Sequence, residues 1–367
     1  MTVPILTDGV VRLRAHRLED APRIVEQCLD PESIRWTTVP VPYDEAMARE
    51  FVTENLQAWE VEGGNRLWAI TDAHDPQDRF LGTIDVRPVG AGIAFIGFGL
   101  HPEGRGRHLM AAALRLVTGW WFEQGGVRMY WEANRGNFGS WRVAWACGFT
   151  FHGTLPQKLD HRGEALDGWI GSIGRDDDLT KPVAPWNEAP TLSADGVVLR
   201  AWRADDTAVA EPHDHPSHYV PGRAIPVPET FAAWLLRRQE QMALGASVNW
   251  CIADASTDEP LGEMLIFVHQ GTLRGGDTAE LGYFIKPSAR GRAVAGRAAR
   301  LATAYGLGAE GLGLRRLVAE TAADNVASNK ILESLGFTRW GVEDAATAPD
   351  NSIGPAAHWE LLSPPQG

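Results

Sequence analysis

The chain has 367 residues, room for two domains of ordinary size, and its 44% hydrophobic content with 15 Trp can fill their cores. A formal charge of −13 argues against a nucleic-acid partner, which needs clustered cations, and suits cationic substrates such as amines. No apolar run approaches the ~18 residues that cross a membrane, the start "MTVPILTDGVVRLRAHR" has no charged-then-apolar leader pattern, and Cys28, Cys147 and Cys251 show no metal or disulfide spacing. The expectation is a cytoplasmic protein with no membrane partner and no metal site.

Taken in chain order, the predicted elements occur twice. "TDGVVRLRAHRLED" (Thr7 to Asp20), a β-rich start, returns as "ADGVVLRAWRADD" (Ala194 to Asp206). One or two helices follow in each half, in the second over Phe231 to Ala243. Strand signals at "LWAITDAHDPQDRFLGTI" (Leu67 to Ile84) return at "NWCIADASTDEPLGEML" (Asn249 to Leu265), and short turns between strands predict antiparallel pairing. "GFGLHPEGRGRHLM" (Gly97 to Met110) returns as "GYFIKPSARGRAVA" (Gly282 to Ala295). Beyond it, Leu109, Ala113, Leu116, Val117 and Trp120, and again Val294, Ala298, Leu301, Ala302 and Tyr305, mark one buried helical stripe. A strand, the Asn-opened helices "NFGSWRVAWACGF" (Asn137 to Phe149) and "NVASNKILESLGF" (Asn325 to Phe337), and one closing strand complete each unit. Gly148 and Gly336 stand where a helix C-cap needs positive φ.

The offset between copies is 186 residues at Leu13/Leu199, 185 at Arg105/Arg290 and 188 at Asn137/Asn325, so the chain is a tandem of like domains. The boundaries expected are 1–176 and 193–367, joined by an acidic, Pro-rich linker at 177–192. The fold class is α+β: two tandem domains, each with a mixed, mostly antiparallel central sheet flanked by helices.

A strand that runs through "RGRAVA" into a helix aims backbone N–H groups and the positive helix end at one point, which is an anion site. Arg290 and Arg292 can add charge-assisted bonds to a phosphate. The loop lacks the Lys-Ser/Thr of a P-loop and any G-x-G-x-x-G, which disfavours nucleoside triphosphates and NAD. Taken alone, exposed arginines at a helix start explain it equally well.

The full order is a Glu-x-Gly-Tyr strand, an Arg-Gly-Arg helix start, a strand, an Asn-x-x-Ser helix and Leu-Gly-Phe. This resembles the GNAT superfamily of acyl-CoA-dependent N-acetyltransferases, once per half. Its nearest branch is similar to the ribosomal-protein N-terminal acetyltransferases. The resemblance implies acetyl-CoA as co-substrate. It implies a pyrophosphate loop over Arg290, Gly291, Arg292, Ala293, Val294 and Ala295, with Ile285 and Asn325 also on the cofactor. In the first copy the same roles fall on Leu100, Arg105, Gly106, Arg107, His108, Leu109, Met110 and Asn137. Both loops depart from the family at its middle glycine, where Ala293 costs little if φ is negative and His108 is bulkier.

Acetyl transfer needs a base for the ammonium and an acid for the leaving thiolate. By resemblance, Glu280 is the base and the hydroxyls of Ser328 and Ser140 the acids. At the Glu position the first copy has Phe95, with Asp85 as a possible substitute. The tyrosine acid of other branches is replaced by Leu332 and Ala144. Asn137 and Asn325 read equally as helix N-caps. His213, His215 and His218 fall in a Pro-rich stretch that reads as a solvated loop, as acceptor-site lining or as a metal group, and by alignment it flanks the acceptor cleft; Trp36 and Tyr43 either line the first copy's cleft or belong to its core. Two readings follow: an N-acetyltransferase acting on a small-molecule amine or a peptide N-terminus, or a half-enzyme in which one domain is a scaffold or acyl-CoA-binding module. Fused copies can replace a two-fold interface, so a pseudo-dimeric monomer and a homodimer are both expected possibilities.

Overall fold

A computed structural model describes residues 2–206, 216–220, 224–268 and 277–363. His213 and His215 lie outside them. The chain divides into two compact units, Met1–Ala184 and Pro185–Gly367.

The first unit runs β1 (Leu6–Thr7), β2 (Val11–Arg14), α1 (Ala21–Leu29), α2 (Pro31–Trp36), α3 (Glu45–Ala58), β3 (Arg66–Asp72), β4 (Gly82–Gly90), β5 (Ile93–Leu100), α4 (Leu109–Glu123), β6 (Arg128–Asn134), α5 (Phe138–Ala146), β7 (Thr150–His161) and β8 (Glu164–Gly174). The second runs β9 (Leu192–Ala194), β10 (Val197–Arg200), α6 (Phe231–Ala243), β11 (Ser247–Asp254), β12 (Pro260–Val268), β13 (Thr278–Ile285), α7 (Val294–Leu307), β14 (Arg316–Ala322), α8 (Val326–Ser334), β15 (Thr338–Thr347) and β16 (Ile353–Leu362).

Each unit has one eight-stranded sheet, in the orders β1-β2-β3-β4-β5-β6-β8-β7 and β15-β16-β14-β13-β12-β11-β10-β9. Every pairing is antiparallel except β5 with β6 and β13 with β14. The single closing strand expected from the sequence is a hairpin whose second strand returns to sit beside β6 or β14. Its outer strand is largely exposed, which hides the alternation that marks a half-buried strand. Ahead of β3 there are three helices, one more than expected.

The predicted helical stripe is the core. Val294, Ala298 and Ala302 pack with Val248, Trp250, Ile266 and Leu317 on one face of the second sheet. Gly148 and Gly336 both have positive φ, at 80° and 86°, and close α5 and α8. The repeated opening motif folds around a buried ion pair: Arg14 grips Asp20 through two 2.8 Å bonds, and Arg200 grips Asp206 identically. Both partners are at least nine-tenths buried in each copy. Asp206→Asn removes one carboxylate from the buried Arg200 guanidinium while Asp258 stays bonded at 2.7 Å, and is expected to destabilise the second unit by ~2 kcal/mol, read as a lower denaturant midpoint.

Candidate functional site

In both units the parallel pairing is short. The β13–β14 ladder ends at Glu280/Val318, while β12–β13 pairing continues to Ile285. Beyond Glu280 the two strands part, and the wedge opens toward the starts of α7 and α8.

On one side of the wedge lies a cavity of about 700 Å³ at the start of α7. It is lined by Ile285, Arg290, Gly291, Ala293, Val294, Ala295, Gly296, Asn325 and Ser328, so most of the predicted cofactor residues of this copy come together. A Cβ built on Gly291 or Gly296 meets nothing within 4 Å, so the turn is open. The first N–H groups of α7 have no intrahelical acceptor and point into this opening. Sequence reasoning missed three cations here, Arg297, Arg300 and Lys330. Arg297 and Arg300 stand three residues apart on α7 and Lys330 on α8, so only the packing of those helices makes them one group.

Arg292 does not join them. Its guanidinium bonds Asp254 at 3.1 Å, and Arg107 bonds Asp72 in the same way in the first unit. These arginines tie the two loops to the ends of β11 and β3, and Arg292 is not among the residues that line the cavity. Arg105 is also diverted. It bonds Asp30 at 2.5 Å and the Ser33 hydroxyl at 3.2 Å. Asp30 is the N-cap of α2, a contact between segments seventy-five residues apart that local patterning does not show.

The negative φ allowed for Ala293 is not what the fold adopts. Ala293 has φ 55° and His108 φ 59°, both left-handed, directly before the helix. For a residue with a Cβ this conformation costs ~1–2 kcal/mol. Ala293→Gly is therefore expected to raise the stability of the second unit by about 0.5–1 kcal/mol, once the greater freedom of glycine in the unfolded chain is subtracted. Thermal unfolding of the two proteins checks this. In the first copy Met110 is 4% exposed and fills the first turn of α4, where the second copy has the partly open Ala295.

On the other side of the wedge is a cavity of about 690 Å³. Its floor is the sheet face made by Glu263, Leu265 and Phe267 of β12 with Glu280, Gly282 and Phe284 of β13. A Cβ on Gly282 would come within 2.6 Å of Leu265 Cδ1, so that side chain would have to shift. Glu320 and Asp324 stand on the opposite wall. Glu263 is fully buried, accepts two 2.8 Å bonds from Arg238, and is pushed up to about 7 because burial outweighs that guanidinium. His218 reaches Asp324 at 3.1 Å. Among the described residues no group of His, Cys, Asp and Glu is arranged to hold a metal ion.

The two cavities share Tyr219, Val220, Tyr283, Phe284, Asn325 and Ser328. Their charges are opposite. Among the described residues, the first is lined by Arg290, Arg297, Arg300 and Lys330 and by no carboxylate; the second is lined by Glu263, Glu280, Glu320 and Asp324 against Arg238. Asn325 caps α8 by accepting from the Ser328 N–H at 3.2 Å, and Asn137 caps α5 the same way at 3.1 Å.

The first unit fills this place differently. At the fourth position of β6 stands Trp131, where β14 has Ala319. The Trp131 indole donates to the Ser140 hydroxyl at 2.9 Å and is 1% exposed. Phe95, at the position of Glu280, stacks on Tyr130 at 5.5 Å. Trp141, Trp169, Phe151 and Phe138 extend the aromatic packing. Asp85 is buried against Arg87, and its carboxyl lies above the usual range because burial outweighs that partner. Tyr43 is in the core, and Trp36 is half-buried with its indole on Glu32. Leu332 and Ala144, at the position of the absent tyrosine acid, are buried.

The sequence model of a family described as "Acetyltransferase (GNAT) domain" matches residues 11–150 and 196–338. No curated protein matches the chain. Among solved structures, it is similar to a putative ribosomal-protein-serine acetyltransferase from Vibrio cholerae, at 15% identity over 47% of this chain and 99% of that one, with a TM-score of 0.41. A GNAT-family acetyltransferase from Bacillus anthracis gives 17% identity, 47% and 99% coverage, and a TM-score of 0.42. Mycobacterium smegmatis RimJ, in complex with CoA-disulfide, gives 21% identity, 47% and 87% coverage, and 0.42.

Proposed function

The chain belongs to the acetyltransferase (GNAT) family, twice over, and from that premise we propose that acetyl transfer from acetyl-CoA to a primary amine runs in the second unit alone. The family supplies the reaction class: an acyltransferase that uses acetyl-CoA as co-substrate. The observation that carries the assignment to the second unit is its pair of joined, oppositely charged cavities.

The cationic cavity suits the phosphates of coenzyme A. Arg290, Arg297, Arg300 and Lys330 neutralise charge, while the open first turn of α7 offers N–H donors. Ala293, Val294 and Ala295 leave room for close backbone approach. Ile285 and Asn325 bracket the arm between the phosphates and the reacting end. The acidic cavity suits an ammonium group. Such a group must lose a proton before it attacks, since an alkyl ammonium has a pKa near ~10. Glu280 lies on the cavity floor where the β13–β14 ladder ends, and is the base in this reading. Ser328 faces both cavities and can donate to the leaving sulfur.

The first unit is the scaffold of this half-enzyme. Trp131 occupies the Ser140 hydroxyl, Phe95 stands where a base is needed, Arg105 is held by Asp30, and Met110 fills the helix start. The acceptor is a small-molecule amine or a peptide N-terminus carrying positive charge at the reacting end. Thiol release from acetyl-CoA, measured across diamines, amino sugars, amino-acid amides and short peptides with free N-termini, tests the reading. At least one class should turn over. Acetyl-CoA bound with no thiol release on any of them would contradict it.

A further inference from the structure

Leu332 is apolar, and the Ser328 hydroxyl is an alcohol, a far weaker acid than the thiol it would have to protonate. Among the described residues two tyrosines, Tyr219 and Tyr283, also stand at the junction. The phenol oxygen of Tyr283 is buried and makes no hydrogen bond of good geometry among the described residues. A buried polar group left so forfeits the hydrogen bond it would make in water, and its retention points to a ligand or a catalytic role.

Its surroundings supply the role. Tyr283 lies on β13 three residues beyond the last β13–β14 pair, inside the wedge, and lines both cavities. The Ser328 side chain faces its hydroxyl. Tyr219, the other tyrosine shared by the cavities, is already turned to Asp324. In the first unit the position of Tyr283 is Phe98, and the Ser140 hydroxyl takes its hydrogen bond from Trp131 instead. The unit that lacks Glu280 therefore lacks this phenol too.

We propose that Tyr283 is a catalytic residue of the second unit, whose hydroxyl hydrogen-bonds the coenzyme A sulfur and gives it a proton as the thioester breaks. This rests on the acetyl-transfer reading above. In the step, Glu280 first takes one proton from the ammonium. The amine nitrogen bonds the acetyl carbon, the carbon–sulfur bond breaks, and the sulfur takes the phenol proton. The second proton that nitrogen sheds on becoming an amide returns to the tyrosinate, through Ser328 or water. Burial holds the phenol above its usual range, so it stays protonated at neutral pH and ready to donate.

Tyr283→Phe tests this, and the first unit shows that the fold accepts Phe at this position. The probe is coenzyme A itself, bound to the whole chain, with its thiol titrated by thiolate absorbance. A hydrogen bond from the phenol should hold the bound thiol's midpoint about one pH unit lower in the wild type than in Y283F. Calorimetric Kd values at neutral pH should agree within about twofold, since the thiol is then uncharged. On the amine found by the panel, kcat should fall about 100-fold with KM for acetyl-CoA unchanged. Equal midpoints with binding intact overturn the assignment of Tyr283 and leave the acetyl-transfer reading standing. Failure of coenzyme A to bind the wild type overturns that reading, and this proposal with it.

Discussion

Glu280→Gln is expected to lower kcat by about 10²–10⁴-fold while acetyl-CoA still binds, the range typical of a lost general base. Gln keeps the shape of the side chain and removes only the site that accepts a proton. Glu280 lines the acidic cavity and not the cationic one, so the acetyl-CoA Kd should change little. A base acts on the free-amine fraction, so the defect should shrink as pH rises toward the amine's own pKa near ~10, where the ammonium sheds its proton unaided. Steady-state kinetics on both proteins across pH read this directly. If activity survives the change, the base is elsewhere. Glu263 would then be next to test, since it lines the same floor and is pushed up to about 7, near the working range of a base.

One acetyl-CoA per chain is the expected calorimetric stoichiometry. Arg290→Ala should weaken that binding about tenfold, the value of one charge-assisted bond of roughly 1.4 kcal/mol. Arg105→Ala should leave it unchanged, because Arg105 is already held by Asp30 and Ser33. A stoichiometry of two would mean that acetyl-CoA displaces Asp30 from Arg105 and is accommodated by His108 and Met110. The first unit would then be no mere scaffold, but an acyl-CoA-binding module or a second enzyme. The measurement separates the two units without knowledge of the acceptor.

Much of this site is readable along the chain. Arg290, Gly291, Ala293, Val294 and Ala295 follow one another, so their convergence needs only the strand–turn–helix that their own pattern dictates. Asn325 and Ser328 are three residues apart at a helix start, and capping brings them together locally. Glu280 shares the strand that leads into the loop. What could not be read is what long-range pairing decides. Arg292 turns to Asp254 and Arg105 to Asp30, partners 38 and 75 residues away. Local pattern assigns both to phosphate because it sees only the helix start. The left-handed φ of Ala293 and His108 is likewise imposed by how the turn must enter its helix, against the preference of either residue.

By itself the sequence determined the duplication, the α+β class and the family, and it singled out the loop and strand proposed to carry the chemistry. Each of these is a matter of order and period, which residues keep whatever they fold against. The tertiary structure decided how the aligned positions of the two copies are packed. Trp131 and Ala319 are aligned neighbours in two like strands, and nothing local says what a large residue at that position excludes. Only the cross-strand pairing shows it: Trp131 faces Gly171, whereas Ala319 faces Trp359. In the first unit the indole takes the Ser140 hydroxyl; in the second, Trp359 donates to Thr321 instead, and Ala319 lines the open cavity. Cavities are what packing leaves over, and packing is settled between strands that the chain keeps far apart.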